Sequence, residues 1–405
     1  MLRQRALIST LIPLALIAVA CGDDTDDEAG DTSAVETTAA DSTSAIETTA
    51  VETTEPTIEA SGVSAVKAGE PFPADRCEAN KAAGTIKYNT GFDYAAAASI
   101  LEVIVAESKG YYEDMCLTVE ITPSFSTANY PLVAANDVQF SSSGSFSELA
   151  SFSAANDADL VALSVDGHAA IDVLMVKPDQ AGSLADLAGK TIGIKGALPP
   201  AVAVMLQQEA QLAEGSDFET VLLEGFDPNA HWAIENVTAI PGWRSNEPGA
   251  LERNGTTFDV YDPADFGIPG SFGLIYTNRK FLTVHPSAAA DFMRATMQAL
   301  ADAIADPEAA AAIAVERING GGNPNFLSPE GETFRWVTDA AAIVATTPDG
   351  TNIGVPIANE LEAQVKAYAE VGIYGDGGAP TTAGRFDTDL VAALYNDDGQ
   401  IIWPG

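Results

Sequence analysis

Apolar positions along this chain fall into two spacings that alternate from about residue 85 onward. Short apolar or alternating runs at 85–88, 117–121, 138–140, 160–165 and 171–176 predict strands, and longer helical stretches at 94–108 and 146–154 lie between them. A short turn of helix at 184–190 then restarts the pattern. Strands follow at 191–195, 219–223, 238–241, 257–261 and 274–277, with a helix opened by Pro199 and Pro200 and another near 247–253. From Pro286 the chain is nearly all helical, with starts marked by Asp306-Pro307 and Ser328-Pro329. Regular alternation of strand and helix predicts an α/β architecture with mainly parallel sheets. Two sheet units followed by helices predict two lobes, the second inserted into the first. The expected division is lobe I at 71–177 and 278–405 and lobe II at 178–277. The crossings then fall near Lys177 to Asp179 and near Tyr276 to Asn278.

The N-terminal pattern is of another kind. Arg3 and Arg5 lead into an apolar run at 11–20 that closes on Ala18-Val19-Ala20, the signature of a secretory signal at 1–20 that is too short to span a bilayer as a folded helix. Cys21 follows at once. Its thiol either receives a lipid and becomes the mature N-terminus, or ordinary cleavage frees the chain; both place the protein outside the cytoplasmic membrane. Residues 21–70 form an acidic, Thr-rich tether in which Glu-Thr-Thr recurs at Glu36, Glu47 and Glu52. Such a segment buries too little apolar surface to fold, and its like charges extend it.

Charge narrows the partners. Asp and Glu number 58 against 19 Lys and Arg, a formal charge of -39. A field of that sign repels phosphate backbones and anionic lipid surfaces, so nucleic acid is excluded and the membrane is reached through a lipid anchor alone. If Cys21 is lipidated, Cys77 and Cys116 remain as an even pair in an oxidising compartment, where a disulfide is expected. His168, His231 and His285 are scattered, without metal-ligand spacing, and no metal or cofactor is expected.

Particular segments then carry a resemblance. Ala106-Glu107-Ser108-Lys109-Gly110-Tyr111-Tyr112 followed by Leu117-Thr118-Val119-Glu120, and Asp186-Leu187-Ala188-Gly189-Lys190-Thr191-Ile192-Gly193, stand in the order of a known family, as do Asn246-Glu247-Pro248, Asp265-Phe266-Gly267-Ile268-Pro269 and Val371-Gly372-Ile373-Tyr374. Over 84–394 the chain resembles bacterial solute-binding proteins of ABC importers, in the branch shared by alkanesulfonate binders and thiamine-pyrimidine-precursor binders. The resemblance implies a periplasmic-binding-protein type II fold, two hinged lobes, a small-molecule ligand, an ABC permease as partner, a monomer and no catalysis. Departures bear on the ligand. Cys116 stands where the family usually has glycine. Gly196-Ala197-Leu198-Pro199-Pro200 lacks the hydroxyl and N–H donors of a good oxyanion cradle, which disfavours a sulfonate. The cysteine cluster and catalytic histidines of the eukaryotic pyrimidine synthases of this fold are missing.

Ligands of two-lobed α/β binders sit between the lobes at the carboxyl ends of strands. That rule nominates three loops. In the first, Thr90, Phe92, Asp93 and Tyr94 follow the first strand, with aromatic rings for stacking and Asp93 equally suited to cap a helix. In the second, Ser142 and Ser143 offer hydroxyls, with pure capping expected for at least one serine of that run. In the third, Trp243, Arg244 and Glu247 follow a second-lobe strand. A tryptophan beside a carboxylate suits a planar nitrogen heterocycle, whereas Arg244 and Lys195 converging in the cleft would favour an anion. The expected ligand is a heterocycle related to the thiamine pyrimidine.

Overall fold

The computed structural model describes residues 62–321 and 328–405; the signal, Cys21 and most of the tether lie outside the described residues. Among the described residues ten strands are present: β1 (Thr85–Asn89), β2 (Thr118–Thr122), β3 (Phe140–Ser143), β4 (Leu160–Gly167), β5 (Asp172–Val176), β6 (Thr191–Ile194), β7 (Glu219–Leu222), β8 (Ala239–Trp243), β9 (Asp259–Tyr261) and β10 (Phe272–Asn278). They form two five-stranded sheets, in the orders β2-β1-β3-β10-β4 and β7-β6-β8-β5-β9. Each has one antiparallel strand in the fourth place: β10 between β3 and β4, and β5 between β8 and β9. The other ladders are parallel. The two sheets thus repeat one plan, and helices flank both. This is the two-lobed α/β fold expected from the alternation.

The crossings lie elsewhere than the sequence suggests. β5 pairs with β8 from Asp172 opposite Trp243 to Val176 opposite Ala239, so it belongs to the second sheet. β10 lies wholly within the first sheet. The chain therefore passes between sheets at 168–171 and returns at 262–271, and the expected boundaries at 177/178 and 277/278 shift accordingly. A run such as 171–176 shows that a strand exists but carries no sign of which sheet edge receives it.

Packing explains the persistence of the elements. β4 and β10 are buried at every position, which accounts for their continuous apolar runs. Phe292, from the long helix Pro286–Ala305, stacks on Phe140 of β3 at 4.1 Å and on Tyr112 at 5.1 Å between ring centroids. Aromatic pairs of this kind contribute about 0.5–1.5 kcal/mol each beyond the area they bury. Arg76, on the helix Ala74–Ala82, reaches the buried Asp291 with Nε at 2.6 Å and Nη2 at 3.0 Å. On the same helix Cys77 is joined by a disulfide to Cys116, with Cα atoms 5.2 Å apart.

One predicted helix is cut short. The helix expected over 94–108 begins only at Leu101. The preceding backbone is held by distant carboxylates: Ala96 N–H donates to Glu332 (2.9 Å), Ala98 N–H to Asp339 (2.9 Å) and Ser99 N–H to Asp166 (2.7 Å). These side chains satisfy amides that would otherwise enter the helix ladder. The run Ala95-Ala96-Ala97-Ala98 becomes a buried wall.

Candidate functional site

A cavity of about 340 Å³ opens between the two sheets. The first sheet supplies Gly91 and Phe92 after β1, the wall Ala97 to Ile100, Phe125 to Thr127, Ser142 and Ser143 at the end of β3, and Gly144 and Glu148 after it. The second supplies Lys195 after β6, Phe226 after β7, Trp243 at the end of β8, and Asn246 and Glu247 after it; Arg335 reaches in from the helix Pro329–Thr346. All of these loops lie at strand carboxyl ends, as the topology requires.

Two glycines allow the loops to meet. Gly91 N–H donates to Ser142 Oγ at 2.6 Å, and a Cβ at position 91 would lie 2.8 Å from the Ser142 carbonyl oxygen. Gly242 does the same in the second sheet, where a Cβ would stand 2.7 Å from that of Glu247. The freed space lets the Glu247 carboxylate fold back and accept the Trp243 N–H at 2.8 Å while it ion-pairs with Lys195. Glu247 also opens the helix Glu247–Arg253, where its charge lies at the positive end of the helix.

The remaining expected residues divide. Phe92, Ser142, Ser143, Trp243 and Glu247 line the cavity; Thr90, Asp93, Tyr94 and Arg244 do not. Thr90 is buried and locks the loop, its Oγ1 accepting from Ser124 N–H (3.0 Å) and its carbonyl from Asn129 (2.8 Å). Asp93 holds a left-handed backbone at φ 46° and accepts the Tyr94 N–H at 3.0 Å. Tyr94 donates to the Ile121 carbonyl (3.1 Å) and lies beneath the Arg317 guanidinium. Arg244 turns to Asp262 at the start of the second crossing, and its N–H bonds Ile171 at the end of the first (2.9 Å). It ties the crossings together outside the cavity lining.

The serines do not cap. Ser142 receives Gly91, and Ser143 Oγ lies 2.7 Å from the Tyr130 hydroxyl. The helix Phe146–Asn156 is capped from afar, its Phe146 N–H donating to Ser271 Oγ (3.0 Å) on the second crossing. Cavity residues not singled out from the sequence are Glu148, Phe125, Phe226, Asn246 and Arg335. For Glu148 a signal existed, since it lies on the first turn after the Ser142-Ser143-Gly144 loop that was singled out.

Electrostatics sort the cleft. Lys195 is paired with Glu247, Arg335 with Glu332 (2.8 Å) and Arg244 with Asp262. Glu148 instead takes hydroxyl donors, Tyr130 at 3.3 Å and Ser143 at 3.5 Å, and no cation pairs with it among the described residues. Desolvation in the cleft raises its pKa above the ordinary value. Asp172 is pushed up to about 7, chiefly by desolvation and then by the charges of Glu148 and Glu247. Behind the Ala95–Ala98 wall, burial pushes Glu102 up to about 7 and Asp166 well above its usual range, with the Glu102 charge adding to the rise at Asp166. The space is lined by aromatics and carboxylates, with each cation already neutralised.

Solved structures share this fold. The chain is similar to the periplasmic sulfonate-binding protein of Methylobacillus flagellatus (TM-score 0.56, 13% identity, 76% of this chain and 93% of that one). It is similar to the alkanesulfonate-binding protein of Xanthomonas axonopodis pv. citri bound to MOPS (0.53, 15%, 75% and 98%) and to the periplasmic nitrate-binding protein of Synechocystis (0.51, 12%, 76% and 87%). No curated protein sequence matches it. The fold is that of a periplasmic binding protein. The chain belongs to the NMT1/THI5-like family, whose model matches residues 97–310.

Proposed function

We propose that this protein is the extracytoplasmic solute receptor of an ABC importer, holding a small flat nitrogen heterocycle of the thiamine-pyrimidine type between its sheets and passing it unchanged to the permease. One observation carries the ligand class: the cleft joins Phe92, Phe226 and Trp243 to the Glu148 carboxylate, while Lys195 is already paired with Glu247. Aromatic faces accept a planar ring, and a carboxylate without a cation partner accepts its exocyclic N–H groups or a ring proton. An anion would meet neutralised cations and an added negative charge. The helix Pro200–Ala210 beside the cleft also begins on prolines, which offer no N–H to an oxyanion.

A desulfurization enzyme shares the fold (TM-score 0.51, 13% identity, 76% of this chain and 98% of that one), so fold alone does not separate receptor from enzyme. The side chains support a receptor. His168 is paired with Glu360 (2.9 Å), His231 with the Glu224 carbonyl (2.9 Å), and Cys77 with Cys116, all outside the cavity lining. The disulfide also suits an oxidising compartment. Attachment through a lipid on Cys21, action as a monomer and hinge closure at 168–171 and 262–271 complete the reading.

Mass spectrometry of small molecules released from the purified protein, with a thermal-shift screen of aminopyrimidines against alkanesulfonates, tests it. A released heterocycle and stabilisation by aminopyrimidines are expected. Stabilisation by alkanesulfonates alone would reverse the ligand assignment, and turnover of the bound molecule would end the receptor reading.

A further inference from the structure

The helix Pro329–Thr346 lies beyond the 97–310 region that defines the family, yet one of its faces touches the cavity walls of both sheets. Glu332, Arg335 and Asp339 are spaced three and four residues apart and therefore share that face. Glu332 accepts the Ala96 N–H (2.9 Å) and Asp339 the Ala98 N–H (2.9 Å), both on the first-sheet wall. Arg335 Nη1 donates to both Glu332 oxygens at 2.8 Å, and its Nη2 donates to Asn246 Oδ1 at 3.0 Å. Asn246 belongs to the second-sheet loop that presents Trp243 and Glu247, and its own N–H bonds the Trp243 carbonyl at 2.8 Å.

The same helix is pressed onto the second lobe next to this link. A Cβ at Gly249 would come within 2.4 Å of the Phe334 ring, so only glycine lets the helix Glu247–Arg253 approach so closely. The Arg253 guanidinium covers that ring at 5.5 Å. Arg335 is 5% exposed and Glu332 1%, so their pairing is shielded from water, and removing one partner leaves the other charge buried.

We propose that Arg335 is a positioning residue of the ligand site: through Glu332 and Asn246 it fastens the cavity wall of the first sheet to the ligand-facing loop of the second. The proposal rests on the cavity being the ligand site. The guanidinium suits the task because its planar fork serves two acceptors in two directions, which an ammonium on a flexible stem does less well. Asn246 and Arg335 both line the cavity, so an occupant would touch the fastening from within.

Hydrogen–deuterium exchange on the full chain without ligand tests the fastening apart from any ligand assignment. Arg335→Met is expected to speed exchange at least tenfold in both 92–100 and 243–250, with β4 unchanged. Arg335→Lys is expected to restore 92–100 through its charge on Glu332 and to leave 243–250 fast. Should Arg335→Met fail to fold, Asn246→Ala carries the test: 243–250 exchanges faster while 92–100 keeps its protection. An Arg335→Met protein with unchanged exchange in 243–250, or an Arg335→Lys protein matching the wild type in both segments, overturns the proposal. Calorimetry with 4-aminopyrimidine as probe runs alongside. If the wild type fails to bind the probe, the proposed ligand class fails, and the exchange data still decide the role of Arg335.

Discussion

Phe92 and Phe226 meet edge to face across the mouth of the cleft, their ring centroids 5.7 Å apart. Phe92 follows β1 of the first sheet and Phe226 follows β7 of the second, so the contact exists only while the mouth is shut. Phe125 packs on the other side of Phe92 at 5.6 Å. Phe226 is 45% exposed, so its removal costs the fold little. Phe226→Ala should raise the dissociation rate of the released ligand by up to about tenfold, the equivalent of the roughly 1.5 kcal/mol an aromatic pair can supply. Stopped-flow displacement measures the rate, and a melting temperature within about a degree of the wild type separates the effect from unfolding. An unchanged rate would remove the latch.

Gly91 is a second sensitive point. Its substitution by alanine drives a Cβ to 2.8 Å from the Ser142 carbonyl and 2.9 Å from its hydroxyl, and a strand backbone cannot readily yield. A cost of about 1–3 kcal/mol is expected, together with weaker ligand binding, because two cavity loops are forced apart. Gly377→Ala serves as the control, since among the described residues nothing lies within 4 Å of a Cβ there. Chemical denaturation of both variants gives the comparison; equal midpoints would contradict it.

The buried carboxyls predict a pH dependence with a definite sign. Glu102 in the fold titrates near 7, against about 4.3 in an unfolded chain. Between those values the folded state holds a proton that the unfolded state has lost. Stability contributed by this group is therefore full below about pH 4 and declines as pH rises toward 7, levelling off above. Glu102→Gln mimics the protonated form, so the fall in melting temperature between pH 5 and 7.5 should become shallower by several degrees than in the wild type. Parallel melting curves for the two proteins would refute the assignment.

The Cys77–Cys116 bond closes a loop of sequence separation 39, which in the chain-entropy view is worth about 4 kcal/mol. Replacing both cysteines by serine should lower the melting temperature substantially. Because the bond lies outside the cavity lining, the ligand dissociation constant at 25 °C should stay within about twofold. Calorimetric titration of the double variant checks the second half of that statement.

Nine of the ten described strands were legible in the sequence because each carries its own short apolar or alternating run; β3, Phe-Ser-Ser-Ser, shares only Phe140 with the run at 138–140 that marked it. Their distribution between sheets was not, and β5 shows why: its pairing with β8 depends on residues some seventy positions away. The shortened helix after β1 failed for a related reason. Its alanines have high helix propensity, but Glu332, Asp339 and Asp166 take their amides, and those carboxylates come from elsewhere in the chain. For the site, the rule of strand carboxyl ends named loops that line the cavity, while side-chain direction within them stayed hidden. Trp243 and its neighbour Arg244 face opposite duties: the first lines the cavity and the second ties the crossings. Arg335 escaped because it belongs to no strand end.

The return of the chain to the first sheet through β10 has a bearing on how the molecule is made. The first sheet needs β10 as an inner member, so it stays unfinished until synthesis has passed residue 278, after every strand of the second sheet has been produced. A chain emerging from its N-terminus thus keeps a gap between β3 and β4, and with it a loosely folded leading half, until most of its length is available.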